Sequence, residues 1–394
     1  MIKQAVILAG GQGMRLRPLT LTIPKPLIPI HNKAFVQYLV ERLQKNGIKE
    51  VVFLTGYLGD QIEKYFGDGK KFGLKITYSY SPLDCDTGTR IRNASHLLDN
   101  MFLLLYGDNY WPLNLKELTA FYKKAGTKAL VTVYKNNDSY TKNNMRVNMK
   151  RIVEVYDKTR KAKELNGVDI GFFILKKNII KDFPHGDFSF EEIVLPNLIK
   201  ENQLAGFFTQ HKYYGLSTLE RIPVIEEFFK PRKVIFLDRD GVINKKPPKA
   251  EYVKKWKDFH FLPHALSALK LLSQEKYEIY IITNQAGIGR GIMTENNLKQ
   301  IHKKFLLECS KNSIVINGIY YCPHNWNDNC ECRKPRPGML FQAAAEHHFD
   351  LTKAVFIGDD VRDAEAGKAA GCKTILMPPD GDLLKSVKSF LKSS

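Results

Sequence analysis

Val234-Ile235-Phe236-Leu237-Asp238-Arg239-Asp240-Gly241 sets four consecutive apolar residues directly before an Asp-x-Asp-Gly turn. So short an apolar run, bounded by a turn signal, predicts a buried strand. At the end of that strand one carboxylate can attack phosphorus and a second can move a proton. Just upstream, Phe228-Phe229-Lys230-Pro231-Arg232-Lys233 reads as a helix stopped by a proline before a fresh strand at Val234. The α/β rhythm restarts there. The expected fold class is therefore α/β in two domains, residues 1–230 and 233–394.

Both halves carry the pattern. Ala5-Leu8, Val51-Leu54 and Phe102-Leu105 read as strands, with a helix showing Phe35, Leu39 and Leu43 on one face. Beyond Val234 come a helix at Ala265-Leu272, a strand at Glu278-Ile282, helices at Glu295-Leu307 and Gly338-His347, and strands at Ala354-Ile357 and Thr374-Met377. The length of 394 residues suits two domains that each bury a core.

The net charge of +19 suits anionic partners, either nucleic acid or small phosphates. Its lysines and arginines run along the whole chain, which favours a solvated basic surface over a nucleic-acid footprint. The first apolar stretch, Ala5-Ala9, is too short for a signal or a membrane span, so the expected location is the cytoplasm, with no membrane partner. Three of the six cysteines, Cys322, Cys330 and Cys332, fall within eleven residues and point to metal rather than disulfides.

The first candidate site follows the first strand. Gly10-Gly11-Gln12-Gly13 lets backbone N–H groups approach a phosphate, and Arg15 adds charge. Glycines alone would serve equally for a tight connection. Leu16-Arg17-Pro18-Leu19-Thr20 and Pro24-Lys25-Pro26-Leu27-Ile28-Pro29-Ile30 then hold a lysine near the same turn. Together these segments resemble the sugar-1-phosphate nucleotidylyltransferases, with a Rossmann-like mixed sheet, over about residues 1 to 230.

The resemblance implies that a sugar 1-phosphate attacks the α-phosphorus of a nucleoside triphosphate and releases pyrophosphate. Arg15 and Lys25 would hold triphosphate oxygens, with Gly10, Gly11 and Gly13 at the phosphates. Asp108, in Tyr106-Gly107-Asp108-Asn109, matches the family's Mg²⁺ aspartate. Thr87 and Gly88 fall in an altered form of the loop over base and sugar, and Lys158 lies near the family's sugar-phosphate lysine. One departure stands out. Where the family places a second metal carboxylate, this chain reads Gly215-Leu216-Ser217-Thr218. Asp169, in Val168-Asp169-Ile170-Gly171, is the nearest replacement as a Mg²⁺ ligand.

The second candidate site gathers Thr283 at the end of its strand, Lys334 in Cys332-Arg333-Lys334-Pro335, and Gly358-Asp359-Asp360 with Asp363. In this order they resemble the haloacid-dehalogenase (HAD) phosphatases, from residue 233 to about 390, with a Rossmannoid sheet. The resemblance makes Asp238 the nucleophile and Asp240 the acid and base. Thr283 and Lys334 neutralise the transferred group, and Mg²⁺ sits on Asp238, Asp359 and the backbone of Asp240.

Cys322, His324, Cys330 and Cys332, in a polar loop at 322–332, suit a closed structural Zn²⁺ site that aims Arg333 and Lys334. That loop and Thr283-Asn284-Gln285-Ala286-Gly287-Ile288-Gly289-Arg290-Gly291 resemble the D-glycero-D-manno-heptose 1,7-bisphosphate 7-phosphatases, relatives of the histidinol-phosphate phosphatases. Asn284, Gln285, Arg290 and Arg333 are then the expected substrate residues, with Arg290 reaching a distal phosphate.

Removal of the 7-phosphate leaves a sugar 1-phosphate, the acceptor that the first domain takes, so the expectation is two consecutive steps. The fold resemblance favours GTP as the nucleoside triphosphate. Two other classes compete. A polynucleotide end phosphatase would need a groove of interleaved aromatic and basic residues and a P-loop kinase, and neither is present in the sequence. A non-catalytic nucleotide-sugar sensor fused to a phosphatase would account for Gly215.

Overall fold

The computed structural model describes residues 2–393. They form two compact units, residues 2–229 and 230–393.

Unit one is built on seven strands: β1 (Gln4–Ala9), β2 (Glu50–Thr55), β3 (Lys75–Tyr80), β4 (Met101–Tyr106), β5 (Ala129–Tyr134), β6 (Val168–Lys176) and β7 (Leu204–Thr209), in the order β7-β5-β6-β4-β1-β2-β3. β1 is buried along its whole length because both its faces are covered. Ala5 and Ile7 join one core with Phe53, Leu103 and the 35–45 helix residues Val36, Leu39, Val40 and Leu43. Val6 and Leu8 join the other with Leu54, Phe102 and Leu104. The period of two along the strand and of 3.6 along the helix accounts for this division. A smaller cluster holds Leu16 and Ile28 against Tyr110, Tyr214 and Phe229, fixing the segment that carries Lys25.

β6 makes the sheet mixed, since it runs antiparallel to both β4 and β5. Its beginning therefore lies at the sheet edge where β1 and β4 end. The register with β5 shifts between Asp169 and Phe173, and a bulge of this kind re-aims the side chains around it. Gly171, at φ +76°, donates its N–H to Asp169 Oδ1 at 2.8 Å inside the bulge.

Unit two has five parallel strands: β8 (Lys233–Leu237), β9 (Tyr277–Asn284), β10 (Gly318–Cys322), β11 (Val355–Gly358) and β12 (Lys373–Leu376), in the order β10-β9-β8-β11-β12. β8 is central. Ile235 and Leu237 enter one core while Val234 and Phe236 enter the other, the arrangement expected of a fully apolar run. Parallel pairing brings the ends of β8, β9 and β11 to one edge, which is where a ligand site forms in an open sheet.

Candidate active sites

In unit one the turn after β1 places Gly13 in the left-handed region at φ +64°. A Cβ there would stand 2.9 Å from Thr20 Cγ2 and 3.1 Å from Lys25 Cβ, so glycine is what lets the Lys25 segment close on the turn. Lys25 Nζ makes an ion pair with Asp108. Arg15 is exposed on the short turn Met14–Leu16. The structure thus brings Gly13, Lys25 and Asp108 together at the ends of β1 and β4.

Gly10 has a further duty. The buried guanidinium of Arg90 lies so close that a Cβ on Gly10 would meet it at 2.4 Å. Arg90 donates to the carbonyls of Thr55 at 2.8 Å, Ser81 at 3.3 Å, Pro82 at 3.0 Å and Cys85 at 3.0 Å, tying the ends of β2 and β3 to the turn. Sequence reasoning gave Arg90 no role, because an arginine in a polar loop reads as surface.

The 86–90 segment is held from within. Gly88 is buried beneath the Phe188 ring. Thr87 Oγ1 donates to Glu191 at 2.8 Å and accepts the Phe190 N–H at 2.9 Å. Glu191 also accepts from the Tyr106 hydroxyl. Burial raises the Tyr106 phenol well above its ordinary range, with the charges of Glu191 and Asp169 adding to the effect. Burial likewise pushes the Asp169 carboxyl up to about 7, the Gly171 N–H opposing it and nearby Glu191 reinforcing it. Lys158 is exposed and paired with Glu192 at 2.7 Å.

Gly215 pairs with Asn109 in a short antiparallel bridge, and the Leu216 N–H donates to Asp108 O at 2.8 Å. Asn109 in turn donates to the Ile170 carbonyl at 3.0 Å. The position without a carboxylate and the residue following Asp169 therefore both contact Asn109.

In unit two a cavity of about 920 Å³ opens over the ends of the strands, with Asp238, Thr283 and Lys334 in its lining. Lys334 Nζ lies 2.8 Å from Asp238 and 2.6 Å from Asp363 and donates to the Ile282 carbonyl at 3.0 Å. Burial works against its charge, yet the two carboxylates hold the ammonium above its ordinary value. Burial pushes Asp238 up to about 7 against the pull of Lys334. Asn284 fixes the lysine by exchanging hydrogen bonds with the Lys334 backbone at 3.1 and 3.2 Å.

Asp238, Asp359 and Asp363 bring ligand oxygens within 4.8 Å of one another. Asp359 Oδ1 is buried with no hydrogen-bond partner among the described residues, which leaves a free acceptor for a hard cation. The donor set fits Mg²⁺. Asp363 is the member that adds to the expected ligands. Asp240 lines the same cavity but stands outside this ligand group, its carboxylate accepting from Arg239 at 2.9 Å, Asn244 at 2.9 Å and Gln285 at 2.9 Å.

Four residues had no assigned role in the sequence reading. Lys246 lies 2.5 Å from Asp359 and 3.8 Å from Asp360 and lines the cavity. Arg239, 1% exposed, links Asp240 to His302. Arg336 ties down the 322–332 loop by donating to the carbonyls of Asn329 at 2.6 Å and Cys330 at 2.7 Å. Trp326 lines the cavity. Of the expected substrate residues, Asn284 and Arg333 line the cavity, while Gln285 is buried, donating to Asp240 and to Thr283 Oγ1 at 2.8 Å. Arg290 is absent from the cavity lining, its guanidinium being 4.4 Å from the Trp326 ring and 3.2 Å from the Tyr252 hydroxyl.

The four Cys/His side chains of the 322–332 loop also converge. Cys322 Sγ lies 3.5 Å from His324 Nδ1 and 3.6 Å from Cys330 Sγ, and His324 Nδ1 lies 3.2 Å from Cys332 Sγ. A zinc tetrahedron with bonds of about 2.3 Å has sulfur–sulfur edges of about 3.8 Å, close to this spacing. Hydrogen bonding between Cys322 and Cys332 pulls the Cys322 thiol down toward the thiolate and pushes the Cys332 thiol up, so the two share one proton until a cation takes its place.

With this geometry in view, the sequence profile of nucleotidyl transferases matches residues 4–259. The chain belongs to the nucleotidyl transferase family. A HAD-hydrolase-like profile matches residues 331–381, outside that span. The D-glycero-alpha-D-manno-heptose-1,7-bisphosphate 7-phosphatase of Campylobacter jejuni is 37% identical over 162 residues, which cover 40% of this chain and 91% of the relative. The D-glycero-beta-D-manno-heptose-1,7-bisphosphate 7-phosphatase of Haemophilus influenzae is 37% identical over 147 residues, 36% of this chain and 78% of the relative. HddC from Yersinia pseudotuberculosis shares the fold, with a TM-score of 0.50 and 24% identity over 57% of this chain and 99% of that one. This nucleotidyl transferase is thus fused to a HAD phosphatase, and the chain is a bifunctional enzyme. No helix among the described residues is long and apolar enough to cross a membrane.

Proposed function

We propose that the chain catalyses two consecutive steps in making a nucleotide-activated heptose. Unit two removes the 7-phosphate of D-glycero-D-manno-heptose 1,7-bisphosphate, and unit one transfers a nucleotidyl group, GMP from GTP, to the remaining 1-phosphate. The carrying observation is the pairing in one chain of the Asp238–Lys334–Asp363 cluster with the Gly13–Lys25–Asp108 cluster. Both phosphatase relatives are named for the 7-phosphate, so their product keeps the 1-phosphate that a sugar nucleotidyl transferase uses.

In unit two Asp238 attacks phosphorus to give an aspartyl-phosphate, and Asp240 protonates the departing sugar oxygen and then takes a proton from water. Thr283 and Lys334 hold the transferred oxygens, and Gln285 orients Asp240. Asp238, Asp359 and the backbone of Asp240, with Asp363 beside them, would hold Mg²⁺, which supplies charge neutralisation. In unit one Arg15 and Lys25 hold triphosphate oxygens, and Asp108 and Asp169 would hold Mg²⁺. Lys158 faces the sugar phosphate once freed from Glu192. The expected setting is the cytoplasm.

Phosphate release from a panel of sugar bisphosphates, with pyrophosphate release from each of the four triphosphates, tests the proposal. Heptose 1,7-bisphosphate and GTP should be the best of each set. Gly215 favours a second reading, in which unit one binds nucleotide sugar without catalysis. Pyrophosphate release from no triphosphate would establish that one.

A further inference from the structure

In the reading above, Asp238, Thr283 and Lys334 meet the reacting phosphate, and Lys249, Arg333 and Arg336 add positive charge to the cavity lining. These groups suit phosphates and leave the apolar C–H face of a sugar ring to another residue. Trp326 lines the same cavity and is 50% exposed, an unusual outlay for a tryptophan.

Trp326 is held in place. It lies in the stretch 325–329 between His324 and Cys330, two members of the Cys/His cluster. The stretch is braced by Asn325 N–H to Asp328 at 2.7 Å and Trp326 N–H to Asn325 Oδ1 at 2.7 Å. Arg290 lies over the ring at 4.4 Å and also donates to the Tyr252 hydroxyl at 3.2 Å. Arg290 thus backs the indole and is itself braced by Tyr252, and the Gly289 N–H joins the Arg290 segment to the loop by donating to the Pro323 carbonyl at 2.8 Å. A rigid aromatic surface in a cavity binds at low entropic cost.

We propose that Trp326 is the platform for the sugar ring and a specificity residue of the phosphatase, packing on the C–H face of a sugar ring, pyranose or furanose, that carries two phosphates. The inference rests on the phosphatase reading above. Arg290 backs the indole instead of reaching the distal phosphate. The platform also couples the metal loop to substrate choice, because the turn that carries the indole is closed at both ends by that cluster.

The test compares wild-type full-length enzyme with Trp326→Ala and Trp326→Phe. Heptose 1,7-bisphosphate and fructose 1,6-bisphosphate are assayed beside acetyl phosphate, which has neither a sugar nor an aromatic ring. Trp326→Ala should raise KM for the sugar bisphosphate that the wild type uses best by about tenfold, with kcat within about twofold. Its kcat/KM for acetyl phosphate should move by less than about twofold, and Trp326→Phe should recover most of the sugar KM. An unchanged sugar KM, or equal losses on the sugar and on acetyl phosphate, overturns the platform. Wild type that prefers fructose bisphosphate over the heptose overturns the proposed substrate, and the KM of Trp326→Ala for fructose bisphosphate then decides the platform. Wild type that cleaves only acetyl phosphate overturns both.

Discussion

The His302 ring nitrogen lies 3.3 Å from the Arg239 guanidinium, which also grips Asp240. Arginine can only donate, so Nε2 of His302 must accept and the ring must be neutral. Burial, helped by the arginine charge, pulls the imidazole down to about 3. The unfolded chain takes up this proton near pH 6.5, while the folded chain refuses it until about pH 3. The contribution to stability is therefore complete above pH 6.5 and declines as the pH falls toward 3. Between pH 7 and pH 5 the wild type should lose about 2 kcal/mol more than His302→Gln, as read by urea unfolding at both values. Parallel losses would remove the histidine from the account.

Arg90→Met should destabilise unit one by about 3 kcal/mol, because four main-chain carbonyls lose their donor at once. Thermal unfolding measures this, and a shift below about 1 kcal/mol would mean that water takes over the carbonyls.

Asp169→Asn should lower Mg²⁺-dependent pyrophosphate release at least a hundredfold, on the order of removing a charge-stabilising group from an active site. Gly215→Asp in that background should restore part of the rate if the Asn109 side chain, whose Oδ1 lies 2.7 Å from where the new Cβ would stand, gives way. Unchanged release in the single variant takes Asp169 out of the metal site.

Lys246→Met takes from Asp359 the cation 2.5 Å away. Phosphate release should drop about tenfold in kcat/KM while pyrophosphate release is untouched. An equal fall in both activities would point to a folding defect.

Elemental analysis should find one zinc per chain, and Cys330→Ser should lose it and unfold at a lower temperature. Protein without zinc that melts as the wild type does would rule out the loop as a metal site.

What the sequence made legible follows from where each group sits. Asp238, Thr283 and Asp359 end or follow apolar strands of one parallel sheet, whose ends converge, so order along the chain was enough to group them; Asp108 follows a strand of the other sheet in the same way. The Cys/His set was legible from spacing alone. Lys246 and Trp326 were not, because they come from polar loops whose course depends on contacts distant in sequence. Arg239 stands inside the motif, yet its burial between Asp240 and His302 needs a helix more than sixty residues away. Gln285 and Arg290, expected to contact substrate from their place in a glycine-rich lip, make contacts that the sequence does not show: Gln285 is buried against Asp240, and Arg290 lies against two aromatic side chains.

Asn109 pairs with Gly215 on one side and reaches Ile170 on the other. The position that lacks a carboxylate and the strand that carries Asp169 thus lie on opposite sides of a single amide side chain. Because β6 begins where β1 and β4 end, a metal ligand offered from Asp169 instead of from position 215 would need no change in the sheet, and Gly215 by itself is no proof of a dead enzyme.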